Sequence, residues 1–355
     1  MRSQSASVVI PTHHPDRRTG LRAAIESVRH QDLPPAEIIV VVDHHPTLAA
    51  QLTRELPDVT VLANAYQRGV SGNRNTGAEH AHGELVIFLD DDVVAHPGWL
   101  AGLVAAFDDP TVIGAGGGIE PAWARAQPAW FPDEFRWAVG GSYAGQPVRP
   151  GPVRNVWSAS MAVRRSAFLA AGGFRTGFGK VGDRARPEDT ELCLRMSAVT
   201  GGQWWYVPQS VISHGVPASH STFRYFLRRC VAEGRGKIAM ARLIDSGASL
   251  GAEQDYLRRT LPGALRRETT AALRGAGTRH AARAGAILAG TAAAAVGALI
   301  ELAAHRPPTA TSPPSATSPP SATSLPTATG RTPDTGADPS RRTPTTATSS
   351  IGVAR

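Results

Sequence analysis

At 355 residues, 42% of them hydrophobic, the chain can bury a sizeable core in one large domain or two smaller ones, which excludes a peptide module. Its only cysteines, Cys193 and Cys230, sit in unrelated contexts; this suggests neither a disulfide framework nor a cysteine metal site, and fits a reducing cytosol. The formal net charge of +8 suits nucleic acid, anionic lipid or a phosphorylated substrate, so the location of the arginines has to decide.

The elements follow in chain order. "SASVVIPT" starts a strand pattern almost at once and closes at Pro11 and Thr12; no basic n-region and apolar h-region precede it, so no export is expected. Gly20 to His30 reads as a helix with apolar Leu21, Ile25 and Val28, and "EIIVVVD" as a second strand ending at Asp43. After "VTVLAN", the stretch "GVSGNRNTGAEHA" offers Ser71 or Asn73 as a helix cap and carries Arg74 and Asn75.

Next comes "GELVIFLDDDVVAHPGWL". Leu85 to Leu89 fit a strand covered on both faces, and the strand surfaces into Asp90, Asp91 and Asp92. Adjacent carboxylates repel and raise one another's pKa, so the triplet calls for a compensating cation or hydrogen-bond donors. Oxygen ligands of this kind suit Mg²⁺ or Mn²⁺. The other reading is a solvated acidic turn. Further on, "ARPEDTELCLR" starts a helix at Pro187 with Glu188 and Asp189 in its first turn, where acids serve either as dipole partners or as catalysts.

Alternating strands and helices predict an α/β fold with a mostly parallel sheet over 1–246. Residues 247–305 read as a basic, Ala-rich helical segment associated with a membrane, and 306–355 as a disordered Pro/Thr/Ser tail in which "SPPSAT" occurs twice in tandem. In a parallel sheet the strand ends at Asp43 and at the Asp90 to Asp92 triplet, with the helix entry at Arg74 and Asn75, share one edge, where ligands bind. A helix N-terminus with a guanidinium favours a phosphate there, and a carboxylate beside it accepts from a ribose or base. Asp43 as a mere strand terminator and Arg74 as a solvated helix residue are the plainer alternatives.

The ordered set "SVVIPT", "VVVD", "GVSGNRNTGA", "VIFLDDDV", "GGF" and "PEDTELCLR" resembles family 2 glycosyltransferases with the GT-A fold over roughly the first 240 residues. The resemblance implies a nucleotide-sugar donor, most often a UDP-sugar, met by Pro11, Thr12, Asp43, Arg74, Asn75, Asp90 and Asp91. It also implies a Mg²⁺ or Mn²⁺ ion held by Asp92 with Asp90, and Asp189 of the Glu188-Asp189 pair as catalytic base. One departure is that "VVVD" continues with "HHPT", where such sequences often have Gly and Ser.

A narrower resemblance lies in "SHGVPASHSTFRYFLRRCVAEGRGK", which is similar to the segment after the core in transferases acting on polyprenyl or dolichyl phosphate carriers, glucosyl-dolichyl phosphate glucuronosyltransferases included. It makes His214 a third metal ligand, although with Ser213 and His220 nearby the imidazole serves equally as a structural group. Arg224, Arg228 and Arg229 beside Phe223, Tyr225 and Phe226 form a basic face suited to a lipid-linked phosphate, or simply a solvated helix edge.

Seven arginines and one acid, Glu268, lie between Arg258 and Arg283, and Ala284 to Ala304 is apolar except for Glu301. That length approaches a bilayer span, but alanine and glycine add little transfer energy, which favours a peripheral or partly buried helix on the cytoplasmic side of the membrane.

Two other functions compete. A nucleic-acid binder is suggested by aromatics near arginines in "QWWYV" and "FRYFLRR", but three carboxylates at the ligand edge repel phosphates, so no nucleic-acid partner is expected. A non-catalytic sugar-nucleotide binder is disfavoured by the intact Glu188-Asp189 pair.

Overall fold

Every residue of β1 (Ala6–Thr12) and of β4 (Leu85–Leu89) is buried, and that places them in the middle of one mixed sheet. The computed structural model describes residues 4–176, 178–181, 184–243 and 254–304; the tandem-repeat tail and the junction expected at 246/247 lie outside these. The other strands are β2 (Glu37–Val42), β3 (Thr60–Ala63), β5 (Val93–Ala95), β6 (Val112–Trp123), β7 (Gly151–Val153), β8 (Ser160–Arg164) and β11 (Gln203–Val216); β9 (Gly179–Val181) and β10 (Arg184–Arg186) form a small separate ribbon. The main order is β3-β2-β1-β4-β8-β6-β11-β5, with β7 paired to β11.

The sheet is parallel through β3, β2, β1 and β4, but β8 enters antiparallel between β4 and β6, and β5 lies antiparallel on β11. The reason is the route of the chain. Ser160, the first residue of β8, stands opposite Leu89, the last of β4, so β8 starts at the ligand edge and has to run back from it.

Alternation along the strands separates two cores. Val8, Ile10, Ile87 and Leu89 face α1 (Arg18–Arg29), α2 (Pro46–Glu55) and α4 (Trp99–Ala105), while Val9, Val86 and Phe88 face α3 (Val70–His80), α5 (Arg165–Ala170) and α6 (Glu188–Thr200). A third core joins the 3₁₀ segment Asp133–Val139 to α7 (Phe223–Leu243), α8 (Leu261–Leu273) and α9 (Thr278–Ala304). Its centre is Phe226, fully buried among Trp130, Phe131 and Phe135, where truncation to Ala costs about 3–5 kcal/mol.

Two of the aromatics that suggested a stacking platform are committed elsewhere. Trp204 is buried and donates its indole N–H to the Cys193 carbonyl at 2.9 Å, and Phe226 belongs to the third core.

Candidate active site

The site is built where β1, β2 and β4 end side by side. Because β1 lies between β2 and β4, the chain crosses over in opposite directions from it, and the crevice outside such a switch point is where open α/β sheets take ligands. Thr12 Oγ1 donates to Asp91 Oδ2 at 2.6 Å, and Asp43 N donates to the Thr12 carbonyl at 2.8 Å. Asp43 itself is held by Asn64 Nδ2 at 2.8 Å and by the amide of Gly69, the residue before α3, at 3.0 Å. It is therefore fixed in the wall of the crevice. Pro11, paired with Val41, is buried one step behind it.

The acidic triplet is divided among different partners. Arg74 Nη2 donates to Asp90 Oδ1 at 2.7 Å and Arg74 Nη1 to Glu188 Oε1 at 3.3 Å, so one buried guanidinium ties the end of β4 to the start of α6. Stranding a charge this deeply would cost on the order of 3 kcal/mol. Arg17 Nη1 bridges Asp91 Oδ1 and Asp92 Oδ2, both at 2.8 Å. Burial pushes the Asp91 carboxyl up, and the charges of Asp92 and Asp90 add to this, while the Thr12 hydrogen bond and Arg17 oppose it.

Arg17 was not singled out by the sequence, although "PTHHPDRR" puts basic residues directly after a strand that ends at the ligand edge. Close packing brings it there. The start of α1 lies against the acidic turn, and a Cβ on Gly20 would come within 2.7 Å of the Asp91 carbonyl. Only glycine permits that approach.

Asp92 has a second neighbour from the far side of the sheet. β11 pairs with β5 so that His214 stands opposite Val93, and His214 Nε2 lies 3.6 Å from Asp92 Oδ1. The other ring nitrogen, Nδ1, is 3.1 Å from the Val139 carbonyl and must donate to it. In the neutral ring Nε2 then presents a lone pair towards a carboxylate oxygen, an arrangement that a shared cation satisfies. Among the described residues no three His, Cys, Asp or Glu side chains converge as a ready-made cage. Two protein ligands beside a phosphate-bearing substrate nevertheless suit a hard divalent ion.

At the start of α6, Asp189 Oδ1 accepts from the Thr190 amide at 2.7 Å. Burial and then the Asp189 charge push the Glu188 carboxyl up to about 7, with Arg74 opposing. Asp189 is likewise raised by burial, against its Thr190 hydrogen bond and the charges of Arg74 and Lys237. A carboxyl raised by burial in this way suits proton transfer near neutral pH.

Asn75 does not join the cluster. Its amide is spent on the loop carrying "GGF", donating to the Phe174 carbonyl and accepting from the Phe174 amide, both at 2.8 Å. Glu191, one turn along α6, pairs with Arg195 at 2.8 Å and Arg175 at 2.7 Å, while Arg195 also holds the Gly173 carbonyl. The acids of "PEDTE" thus split into a site pair and a structural one. The three arginines of α7 divide too: Arg224 and Arg228, one turn apart, are exposed, whereas half-buried Arg229 donates to the Ala138 carbonyl at 3.3 Å.

Residues 7–170 match the profile of Glycosyl transferase family 2. A glucosyl-dolichyl phosphate glucuronosyltransferase of Haloferax volcanii is 30% identical over 239 residues, which cover 66% of this chain and 76% of the relative. The chain belongs to glycosyl transferase family 2. A pre-mycofactocin glycosyltransferase of Mycobacterium tuberculosis is 28% identical over 59% of the chain, which spans 43% of that longer relative. Among solved structures, a mannosyltransferase from Pyrobaculum calidifontis in complex with GDP-Man and Mn²⁺ superposes with a TM-score of 0.54 at 20% identity, over 85% of this chain and 88% of that one. This likeness establishes the GT-A fold. The protein is a glycosyltransferase of that fold, and the antiparallel β8 and β5 belong to its mixed sheet.

Proposed function

We propose that this family 2 glycosyltransferase is an inverting enzyme that moves a sugar from a nucleotide-sugar donor, a UDP-sugar in the first instance, to a lipid-linked acceptor at the cytoplasmic face of a membrane in glycoconjugate or envelope-polysaccharide synthesis. The observation that carries the reading is the Arg74 bridge, which brings the acidic end of β4 and the Glu188-Asp189 pair into one crevice. The Haloferax relative, which acts on glucosyl-dolichyl phosphate, supports a lipid-linked acceptor bearing a sugar hydroxyl.

Each group then has a task. Asp43 and Asp90 accept hydrogen bonds from the donor's base and ribose, and Thr12 and Arg17 hold Asp91 in place. Asp92 and His214 would hold Mg²⁺ or Mn²⁺, which supplies positive charge against the leaving diphosphate. Asp189 takes the proton from the acceptor hydroxyl as that oxygen bonds to the anomeric carbon, and the electron pair of the breaking carbon–oxygen bond leaves with the diphosphate. One displacement inverts the centre. Exposed Arg224 and Arg228 would face the acceptor's phosphate, with Arg229 shaping the wall behind them.

Arg17 pairs with Asp92, one of the two residues that would hold the cation, and puts a positive charge beside it. Arg17→Ala should therefore tighten Mn²⁺ binding to the donor-free protein, by roughly five-fold if this half-exposed bridge is worth about 1 kcal/mol. Electron paramagnetic resonance of free Mn²⁺ reads this without turnover. Unchanged affinity would show that Arg17 does not compete for the site.

The raised carboxyls give a pH dependence with a definite sign. A base must be ionised to act, so kcat/KM should fall as pH drops, with an apparent midpoint above the ordinary carboxylate range. In a carbon-13 NMR titration Glu188 should ionise at about 7 in the wild type. Removing a negative neighbour favours ionisation, so the midpoint should be lower in Asp189→Asn. A Glu188 midpoint near 4 in both proteins would contradict the coupling of the pair.

The reaction class is tested by screening UDP- and GDP-sugars with Mn²⁺ for hydrolysis, then for transfer to polyprenyl phosphate-linked acceptors. Turnover of no nucleotide-sugar in the panel would overturn the donor assignment.

A further inference from the structure

α9 packs Ala286, Ile287 and Gly290 inward, and from Ala281 on its outer face is apolar too and is turned to solvent. Leu288, Ala292, Val296, Leu299 and Leu302 recur on one side, and the four larger of these are 57%, 50%, 65% and 49% exposed in chain order. From Ala281 to Ala304 every exposed position is Ala, Gly, Val, Leu or Ile. The polar residues point inward: His280 Nδ1 meets Glu268 Oε2 at 2.7 Å, Arg283 donates to the Ala129 carbonyl at 3.2 Å, and buried Glu301 accepts from Arg235 at 3.2 Å. A helix on the surface of a soluble protein shows the reverse polarity.

The neighbour on the inner side argues against α9 spanning a bilayer. Its backbone is pressed against α7, since a Cβ on Gly234 would strike the Ala294 carbonyl and one on Gly297 the Val231 carbonyl. Arg242 of α7 donates to the Glu301 carbonyl at 3.1 Å near the far end. α7 also carries Arg224, Arg228, Arg229, Glu233, Arg235 and Lys237, and this charge has no place in hydrocarbon. Only the outer face of α9 is therefore available to lipid. Exposed Arg258, Arg259, Arg266 and Arg274 lie in the chain just before it and exposed Arg279 in its first turn, and their charge complements an anionic headgroup layer.

We propose that the exposed face of α9 is an in-plane docking surface for an anionic phospholipid bilayer, the helix lying parallel to the membrane at the boundary between headgroups and acyl chains. The stripe from Ala281 to Ala303 is about 33 Å long, close to the thickness of the hydrocarbon, so length and composition alone resemble a span. The proposal gives the lipid-acceptor reading a definite surface, but it is tested with no donor or acceptor present.

The experiment uses the full chain with single cysteines at Ala281, Leu288, Leu299 and Ala303 carrying an environment-sensitive fluorophore, the natural cysteines being buried. In vesicles of phosphatidylglycerol and phosphatidylcholine, depth-dependent quenchers should find all four labels at one shallow depth. Leu288→Glu with Leu299→Glu should weaken vesicle binding at least about ten-fold with an unchanged circular dichroism spectrum, and Val296→Glu provides a second variant should that pair misfold. Depths graded from one end of the helix to the other would replace docking with a span. Labels already shielded without vesicles, together with a dimer in sedimentation, would assign the face to a second copy. Absence of vesicle binding would also overturn the proposal.

Discussion

Asp92→Asn is expected to lower turnover by roughly 10³-fold or more. The figure follows from the several kilocalories per mole by which a bound cation stabilises charge on a leaving diphosphate, at a factor of ten for each 1.36 kcal/mol. An amide keeps the shape of the carboxylate but not the charge that attracts the ion. It also leaves His214 Nε2, 3.6 Å from Asp92 Oδ1 in the wild type, without an anionic neighbour there. Mn²⁺ binding should be lost in parallel, and chelation should do to the wild type what the substitution does. Because Asp92 is half-buried at the rim, the fold should survive, which circular dichroism would check. Full activity in EDTA, or normal turnover by Asp92→Asn, would remove the metal from the account.

Asp189→Asn should depress turnover by roughly 10²–10⁴-fold, the usual worth of general-base assistance, while donor affinity stays nearly intact. In the proposed displacement Asp92 and Asp189 would serve opposite ends, Asp92 at the departing diphosphate and Asp189 at the oxygen that replaces it. Arg74 stands between the two regions, paired to Asp90 and Glu188, and its charge also acts on Asp189. A phosphate acceptor alters the expectation, since it is already ionised at neutral pH and needs little help. Near-normal turnover with a hydroxyl acceptor would exclude Asp189, and Glu188→Gln would be the next substitution to measure.

The strands of the crevice were legible because their signal is local. Leu85 to Leu89 are a continuous apolar run that has to be buried on both faces, and the acids at its end have to surface. The antiparallel entrance of β8 was not legible, because "SMAVR" reads the same in either direction and its partners are β4 and β6, far away in the chain. Arg17 escaped for a similar reason: two carboxylates more than seventy residues away compensate its charge. Asn75 shows the opposite failure. Beside Arg74 in a Gly-rich segment it looks like a donor ligand, yet successive helical residues point in different directions, and its side chain reaches the backbone of Phe174. Glu301, a lone acid in an apolar helix, makes sense only once Arg235 is seen opposite it.

The stereochemistry of transfer tests the central claim most directly. With a donor selected from the nucleotide-sugar panel and a sugar-bearing polyprenyl phosphate acceptor, the proton NMR coupling of the newly formed anomeric centre reports its configuration. An α-linked donor should yield a β-linked product, as one displacement assisted by Asp189 demands. An α-linked product would contradict the account, because it requires a route that a single crevice with one base does not provide.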